Sequence, residues 1–200
     1  SETSSQNTPP EASSLSFNTQ NPTKSSGLSI NYTFFDADGD LEQGTEINWK
    51  INNLNHPDVD NMTSIPNNLI VKGDLWEVAI TPSDGIDFGE IISEGPVEIN
   101  NSPPSISEIN INPENPNDDD NLILNYEYFD LDNDLGQEHE IHWYLDGVRQ
   151  NEIDNIVNIS SLMIRYGDTW QVSITPYDGF DFGEKLWSNL IIICLSLIHI

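Results

Sequence analysis

Trp76-Glu77-Val78-Ala79-Ile80-Thr81-Pro82-Ser83-Asp84-Gly85 is the stretch that decides the fold of this chain. Trp76, Val78 and Ile80 alternate with small or polar residues, the period of a strand buried on one face. Pro82 ends the alternation because it has no N–H for a ladder, and Asp84-Gly85 turns the chain. The stretch returns 94 residues on (76 to 170) as Trp170-Gln171-Val172-Ser173-Ile174-Thr175-Pro176-Tyr177-Asp178-Gly179. Working outward, the same spacing links Trp49 to Trp143 and Asn7-Thr8-Pro9-Pro10 to Asn101-Ser102-Pro103-Pro104. It also links Asp36-Ala37-Asp38-Gly39-Asp40 to Asp130-Leu131-Asp132-Asn133-Asp134. A repeat of this length closes its own core, so it is a domain rather than a solenoid turn. Positions kept in both copies are held by fold or by site, whereas most others drift.

Six Lys+Arg against 34 Asp+Glu leave a formal charge of −28. A surface this acidic excludes nucleic acid and anionic membrane as partners, since both need cationic contacts. It favours cations, basic partners or solubility in salty surroundings. Aromatic residues make up 9% of the chain and fall largely at alternating positions, so the charge does not signal disorder. The single cysteine, Cys194, lies in the tail, and neither copy can hold an internal disulfide. Residues 1–6 read as a linker, and the chain reads as a piece of something longer.

Both copies read as strands throughout. The Asn-x-Pro-Pro entry is stiff and extended, because proline fixes φ and restricts the residue before it. A short strand follows (14–18 and 106–112). Leu28, Ile30, Tyr32 and Phe34 then alternate inward, as do Leu122, Leu124, Tyr126 and Tyr128. Ile47, Trp49 and Ile51 repeat as Ile141, Trp143 and Leu145, and Asp146-Gly147 predicts a hairpin turn. The region 59–71 (153–165 in the second copy) supplies one or two further strands, and a last strand ends near Ile99 and Ile193. No segment has a sustained helical period. Seven or so short strands in each of 7–100 and 101–193 predict two antiparallel β-sandwiches in an all-β chain.

The tryptophan on the third strand, the Asp-x-Asp-x-Asp loop before it, the Trp-x-Val-x-Ile-Thr-Pro-x-Asp-Gly strand and the Asn-x-Pro-Pro joint together carry a resemblance. From Asn7 to about Ile193 the chain resembles tandem immunoglobulin-like modules, related in form to PKD, fibronectin III and cadherin-like domains of large bacterial and archaeal surface proteins. The resemblance implies an extracellular, cell-surface or secreted location and a structural or adhesive role. Two departures stand out: no cysteine pair bridges the sheets, and a tryptophan replaces the expected corner tyrosine. The closing string 194–200 breaks the repeat and resembles translated sequencing adaptor, so it is expected to be non-native; the rival reading is the beginning of a membrane anchor, but the apolar run from Leu190 to Ile200 is about half the length a span needs.

The candidate metal residues are Asp36, Asp38 and Asp40 with Asp84 and Asp87 in the first copy, and Asp130, Asp132 and Asp134 with Asp178 and Asp181 in the second. Three carboxylates at alternate positions repel one another, and a hard cation with oxygen ligands relieves the repulsion. The residues between them change (Ala37 to Leu131, Gly39 to Asn133), which implies that carboxylates rather than backbone shape are retained. Glu90 and Glu184 extend the second acidic loop. In an immunoglobulin-like sandwich the B–C and F–G loops emerge at one end, so the two acidic loops are expected to meet there and bind Ca²⁺. Calcium at this end of the second copy would also stiffen the joint 98–104, with Asn100, Asn101 or Asp74 as further ligands. The competing explanation is that Asp and Gly simply build tight turns. An EF-hand is excluded, because its positions six and twelve would hold Leu41 and Ile47, or Leu135 and Ile141.

No nucleophile–His–acid set, phosphate loop or closed zinc set is visible, and glycoside hydrolysis needs two acids facing across a cleft rather than clustered in short loops. The expectation is therefore a non-enzymatic spacer or adhesive pair whose partners are neighbouring repeats, with a protein or glycan ligand as a further possibility. Trp49, Trp76, Trp143 and Trp170 belong to the core. Trp187, whose counterpart in the other copy is Ser93, and Tyr177 are the hints of a rival carbohydrate- or protein-binding module appended to a secreted enzyme. His56, His139, His142 and His199 have no counterparts and are expected at the surface. Asn31, Asn61 and Asn158 open N-glycosylation sequons.

Overall fold

A computed structural model describes residues 6–196. The first five residues of the expected linker, and residues 197–200 of the tail with His199, lie outside the described residues. The chain divides into two compact units, Ser1–Ser102 and Pro103–Ile200.

In the first unit seven strands follow in order: β1 (Glu11–Phe17), β2 (Leu28–Phe35), β3 (Glu46–Ile51), β4 (Leu54–Asn55), β5 (Ser64–Ile65), β6 (Leu75–Thr81) and β7 (Ile92–Glu98). They form a three-stranded sheet, β1-β2-β5, and a four-stranded sheet, β4-β3-β6-β7. All pairings between these strands are antiparallel. The alternating residues of β2, β3 and β6 point into one core made of Leu28, Ile30, Ile47, Trp49, Trp76, Val78 and Ile80 with Phe17, Ile65, Ile70 and Ile99. Trp49 and Trp76 meet edge to face, 5.8 Å apart at 81°, the arrangement that ring quadrupoles favour. The Trp49 indole N–H donates to the Met62 carbonyl at 2.9 Å, so its polar atom is satisfied inside the core.

The second unit repeats the plan with β8 (Ser105–Asn112), β9 (Leu122–Phe129), β10 (Glu140–Leu145), β11 (Val148–Arg149), β12 (Asn158–Ile159), β13 (Thr169–Thr175), β14 (Leu186–Trp187) and β15 (Ile191–Ile192). Its sheets are β12-β9-β8 and β11-β10-β13-β14, with β15 also on β13. Each unit is thus an immunoglobulin-like sandwich, of three strands against four in the first and three against five in the second. The last strand is broken in this copy because Ser188 interrupts the ladder: the Val172 N–H donates to Ser188 Oγ at 3.0 Å, and that hydroxyl donates to Asn189 O at 2.9 Å. The β10–β11 hairpin turns at Asp146 (φ 49°) and Gly147 (φ 79°), two left-handed residues whose twist suits the flanking strands.

The first strand begins earlier than its weak alternation implied, at Glu11 rather than residue 14, and it carries a bulge. Its register to β2 shifts between Ser13 and Ser16, with Ser14 left-handed at φ 57°. The second copy bulges at the same place, between Ser107 and Asn110, around Glu108 at φ 53°. An extra residue there leaves the pairing interrupted and bends the strand.

The chain does not leave the second sandwich at Ile193. The Cys194 N–H donates to Pro116 O at 2.8 Å, as the Asn100 N–H donates to Pro22 O at 2.7 Å in the first copy.

Candidate cation site

In each unit the acidic residues sit on the two loops that leave the β2–β3 and β6–β7 pairs (β9–β10 and β13–β14 in the second copy). The loops are tied by backbone: the Gln43 N–H donates to Ser83 O at 2.8 Å, and the Gln137 N–H to Tyr177 O at 2.9 Å.

The first aspartate of each loop is a turn builder. Asp36 Oδ1 accepts the backbone N–H groups of Asp38 (2.8 Å) and Asp40 (3.1 Å). Asp130 Oδ1 accepts those of Asp132 (2.8 Å) and Asp134 (3.0 Å). Asp84 Oδ1 takes Ile86 (2.7 Å) and Asp87 (2.8 Å), and Asp178 Oδ1 takes Phe180 and Asp181, both at 2.7 Å. Turn building therefore explains one oxygen of each of these four carboxylates, and it leaves the other to be accounted for.

That second oxygen is where the candidate site lies. Asp36 and Asp130 are buried, 9% and 7% exposed, and no hydrogen-bond donor among the described residues reaches Asp36 Oδ2 or Asp130 Oδ2. An ionised oxygen in that position carries an uncompensated desolvation cost unless a cation meets it. Asp36, Asp38 and Asp40 bring carboxylate oxygens within 4.8 Å of one another, and so do Asp130, Asp134 and Asp178. The second triplet draws on both loops, and two of its three members are buried. The donors are all hard oxygens, the set that suits Ca²⁺ or Mg²⁺ rather than zinc or copper.

The remaining candidates are placed differently. Asp84 and Asp87 are held by Asn7, whose Nδ2 donates to Asp84 Oδ2 and to Asp87 Oδ2, both at 2.9 Å. Asp38 Oδ2 accepts the Thr8 N–H at 2.7 Å. Asp132 and Asp181 serve the turns through their amides, and Glu90 and Glu184 are exposed. Asp74 lies on the turn before β6, where its Oδ1 accepts from Asn52 Nδ2 at 2.9 Å.

Asn7 was legible only as part of a proline-rich entry, yet its amide bridges two carboxylates. Its retention as Asn101 was the available signal. The Asn7 amide, followed by the Asp87 N–H, holds the Asp84 carboxyl below the usual range. A depressed carboxylate stabilises the fold above its unfolded pKa, and that contribution fades as pH falls through the folded value. In Asn7→Ala the Asp84 titration, followed by carbonyl NMR, is expected to move up toward the ordinary range while staying below it, since the loop amides remain. An unmoved titration would remove Asn7 as the cause.

Gly89 and Gly183 fix where the second loop lies. A Cβ on Gly89 would stand 1.8 Å from Pro10 O, and one on Gly183 would stand 1.9 Å from Pro104 O. The Gly89 N–H also donates to Pro82 O at 2.9 Å, which closes the loop on itself. The entry strand and the acidic loop approach backbone to backbone, with room for a hydrogen atom only.

The three described histidines, His56, His139 and His142, are half-buried rather than at the surface, and two of them pack against rings. His139 is half-buried, stacked on Tyr128 at 5.3 Å and 22°, and its Nδ1 accepts the Tyr177 N–H at 3.0 Å. Burial pushes its pKa down, as befits a neutral acceptor. In the first copy Thr45 Oγ1 takes the same part, accepting the Ser83 N–H at 3.1 Å. His56 is also half-buried and stacks on Trp76 at 6.0 Å. The four core tryptophans are at most 1% exposed, whereas Trp187 is 46% exposed and leans on Tyr144 at 4.9 Å. Asn61 Oδ1 accepts the Ile47 N–H at 3.0 Å, as Asn155 Oδ1 does from Ile141, so that sequon coincides with a structural position.

No family model matches the chain, and no curated protein matches it. Among solved structures, the FN1–FN3 domains of chicken CNTN1 align over 94% of this chain and 66% of theirs, with 11% identity and a TM-score of 0.36. The fibronectin(III)-like modules of Clostridium thermocellum CbhA align over 92% of this chain and 96% of theirs, with 10% identity and a TM-score of 0.31. Each unit of the chain is an immunoglobulin-like sandwich by its own strand order.

Proposed function

We propose that the two units are non-enzymatic spacer or adhesive repeats of a large extracellular surface protein, ordered by calcium at their acidic loops. The observation that carries the calcium reading is Asp130 Oδ2, a buried carboxylate oxygen with no donor among the described residues, inside a triplet with Asp134 and Asp178. Asp130, Asp134 and Asp178 would hold the ion in the second unit, and Asp36, Asp38 and Asp40 in the first. The ion would supply charge neutralisation between loops that otherwise repel. The spacer role draws on the repetition of one acidic sandwich with the same entry motif and the same loops. Extracellular modules bind calcium at about 10⁻⁴–10⁻³ M, so an ion-rich medium would keep such sites filled.

Thermal unfolding with calcium and with chelator tests the proposal. At 100 times its dissociation constant, calcium stabilises a native state it binds selectively by about 2.7 kcal/mol. For a domain of this size that corresponds to a rise in Tm of about 10–20 °C. A folded chain whose Tm is the same in calcium and in chelator overturns the calcium part.

One observation favours a second reading, a glycan- or protein-binding module. Trp187 and Tyr144 form a partly exposed aromatic pair on the five-stranded sheet of the second unit, where the first unit has Ser93 and Lys50. Glycan-array binding that is lost in Trp187→Ala would decide for it.

A further inference from the structure

We propose that Tyr128 makes the cation site of the second repeat the tighter of the two, its hydroxyl oxygen joining the ion's shell beside Asp130 Oδ2. The inference rests on the cation reading above and adds to it a ligand and a ranking of the sites. Tyr128 lies on β9 two residues before Asp130, so the two share a side of the strand as the chain enters the loop. Its hydroxyl oxygen is buried, and nothing among the described residues bonds it. One orphaned oxygen therefore belongs to the triplet, and the other is carried by the strand that leads into it. The ring stacks on His139, which accepts the N–H of Tyr177, the residue before Asp178, so Tyr128 is tied to both loops that supply the triplet.

The ring is held in place for this role. It stacks on His139, whose own orientation is fixed by the Tyr177 N–H. Gly136 leaves the space: a Cβ there would stand 3.2 Å from Tyr128 Cδ2 and 2.8 Å from His139 Cε1. Tyr32 on β2 of the first repeat differs in kind, because its Oη donates to Glu42 Oε1 at 2.7 Å and is already satisfied. Ca²⁺ takes six to eight oxygens, and a neutral one raises the coordination number without adding repulsion between carboxylates. The first repeat has Phe34 where the second has Tyr128, and Thr45 where it has His139, so its Asp36–Asp38–Asp40 cluster lacks this oxygen.

The test is a calorimetric titration of the whole chain with CaCl₂ near neutral pH, with the tyrosine difference absorption recorded alongside. Wild type is expected to show two classes of affinity, with Asp130→Asn removing the tighter. Tyr128→Phe keeps the ring and matches the residue of the first repeat. It is expected to weaken the tighter class about tenfold, leave the weaker class in place, and abolish a calcium-induced change in tyrosine absorption. If folded wild type takes up no calcium, the cation reading falls and this inference falls with it. If calcium binds in a single class, or Tyr128→Phe leaves both affinities unchanged, the inference alone is overturned.

Discussion

Trp143→Ala is expected to cost the second unit about 3–5 kcal/mol, the range for emptying a buried indole site. Trp143 is fully buried, lies 6.2 Å from Trp170 at 75°, and donates its indole N–H to Ile156 O at 2.7 Å. Removing it opens a cavity between the two sheets and strands that carbonyl, so two separate penalties add. A small domain holds about 5–15 kcal/mol in all, so the loss takes a large part of the unit's stability. Calorimetry of the whole chain should then show the transition of the second unit lowered by well over 10 °C or lost, with that of the first unit little changed. Trp143→Phe separates the two penalties, because it keeps most of the ring and leaves only the Ile156 carbonyl unmet. A loss in Trp143→Ala of under about 1 kcal/mol would mean that the indole is not a keystone of the sandwich.

The second large effect is expected at Gly89. Overpacking costs about 1–3 kcal/mol where side chains can shift, and more where they cannot. Here the obstacle is the carbonyl of Pro10, a backbone atom in a segment stiffened by Pro9 and Pro10, so Gly89→Ala should fall at or beyond the top of that range. The loop would have to leave the entry strand, and Asp84 and Asp87 would be carried away from Asn7 with it. Gly183→Ala should do the same to the second unit through Pro104 O. Equilibrium urea unfolding of each variant measures the loss, and a change below about 0.5 kcal/mol in either would contradict the close approach.

The strands were legible where alternation was strong. Leu28 to Phe34, Ile47 to Ile51 and Trp76 to Ile80 each bury one face, and a period of two survives any tertiary context that keeps that face covered. The first strand was read short because its bulge at Ser14 shifts the alternation by a residue, so its apolar positions do not line up in the sequence. The acidic loops were legible as retained carboxylates. What each carboxylate does was not, because one oxygen of Asp130 builds the turn while the other stays unmet, and residue type cannot divide the two. Asn7 and Tyr128 were missed for a related reason: each acts on a site through a contact that depends on where the folded chain carries its side-chain tip.

The bulges in β1 and β8 bear on how such a chain grows. A protein that lengthens by copying itself keeps strands of the same plan tethered at high effective concentration, which invites one copy to complete another's sheet during synthesis. β1 ends the three-stranded sheet of the first unit and β8 that of the second, so these are strands a neighbour could mistake for its own. A left-handed Ser14 or Glu108 in mid-strand spoils the even spacing of N–H and C=O groups that a foreign strand would have to match. Duplication could then multiply this module with little risk of tangling, and a kink in an edge strand is part of what makes the unit fit to be reused.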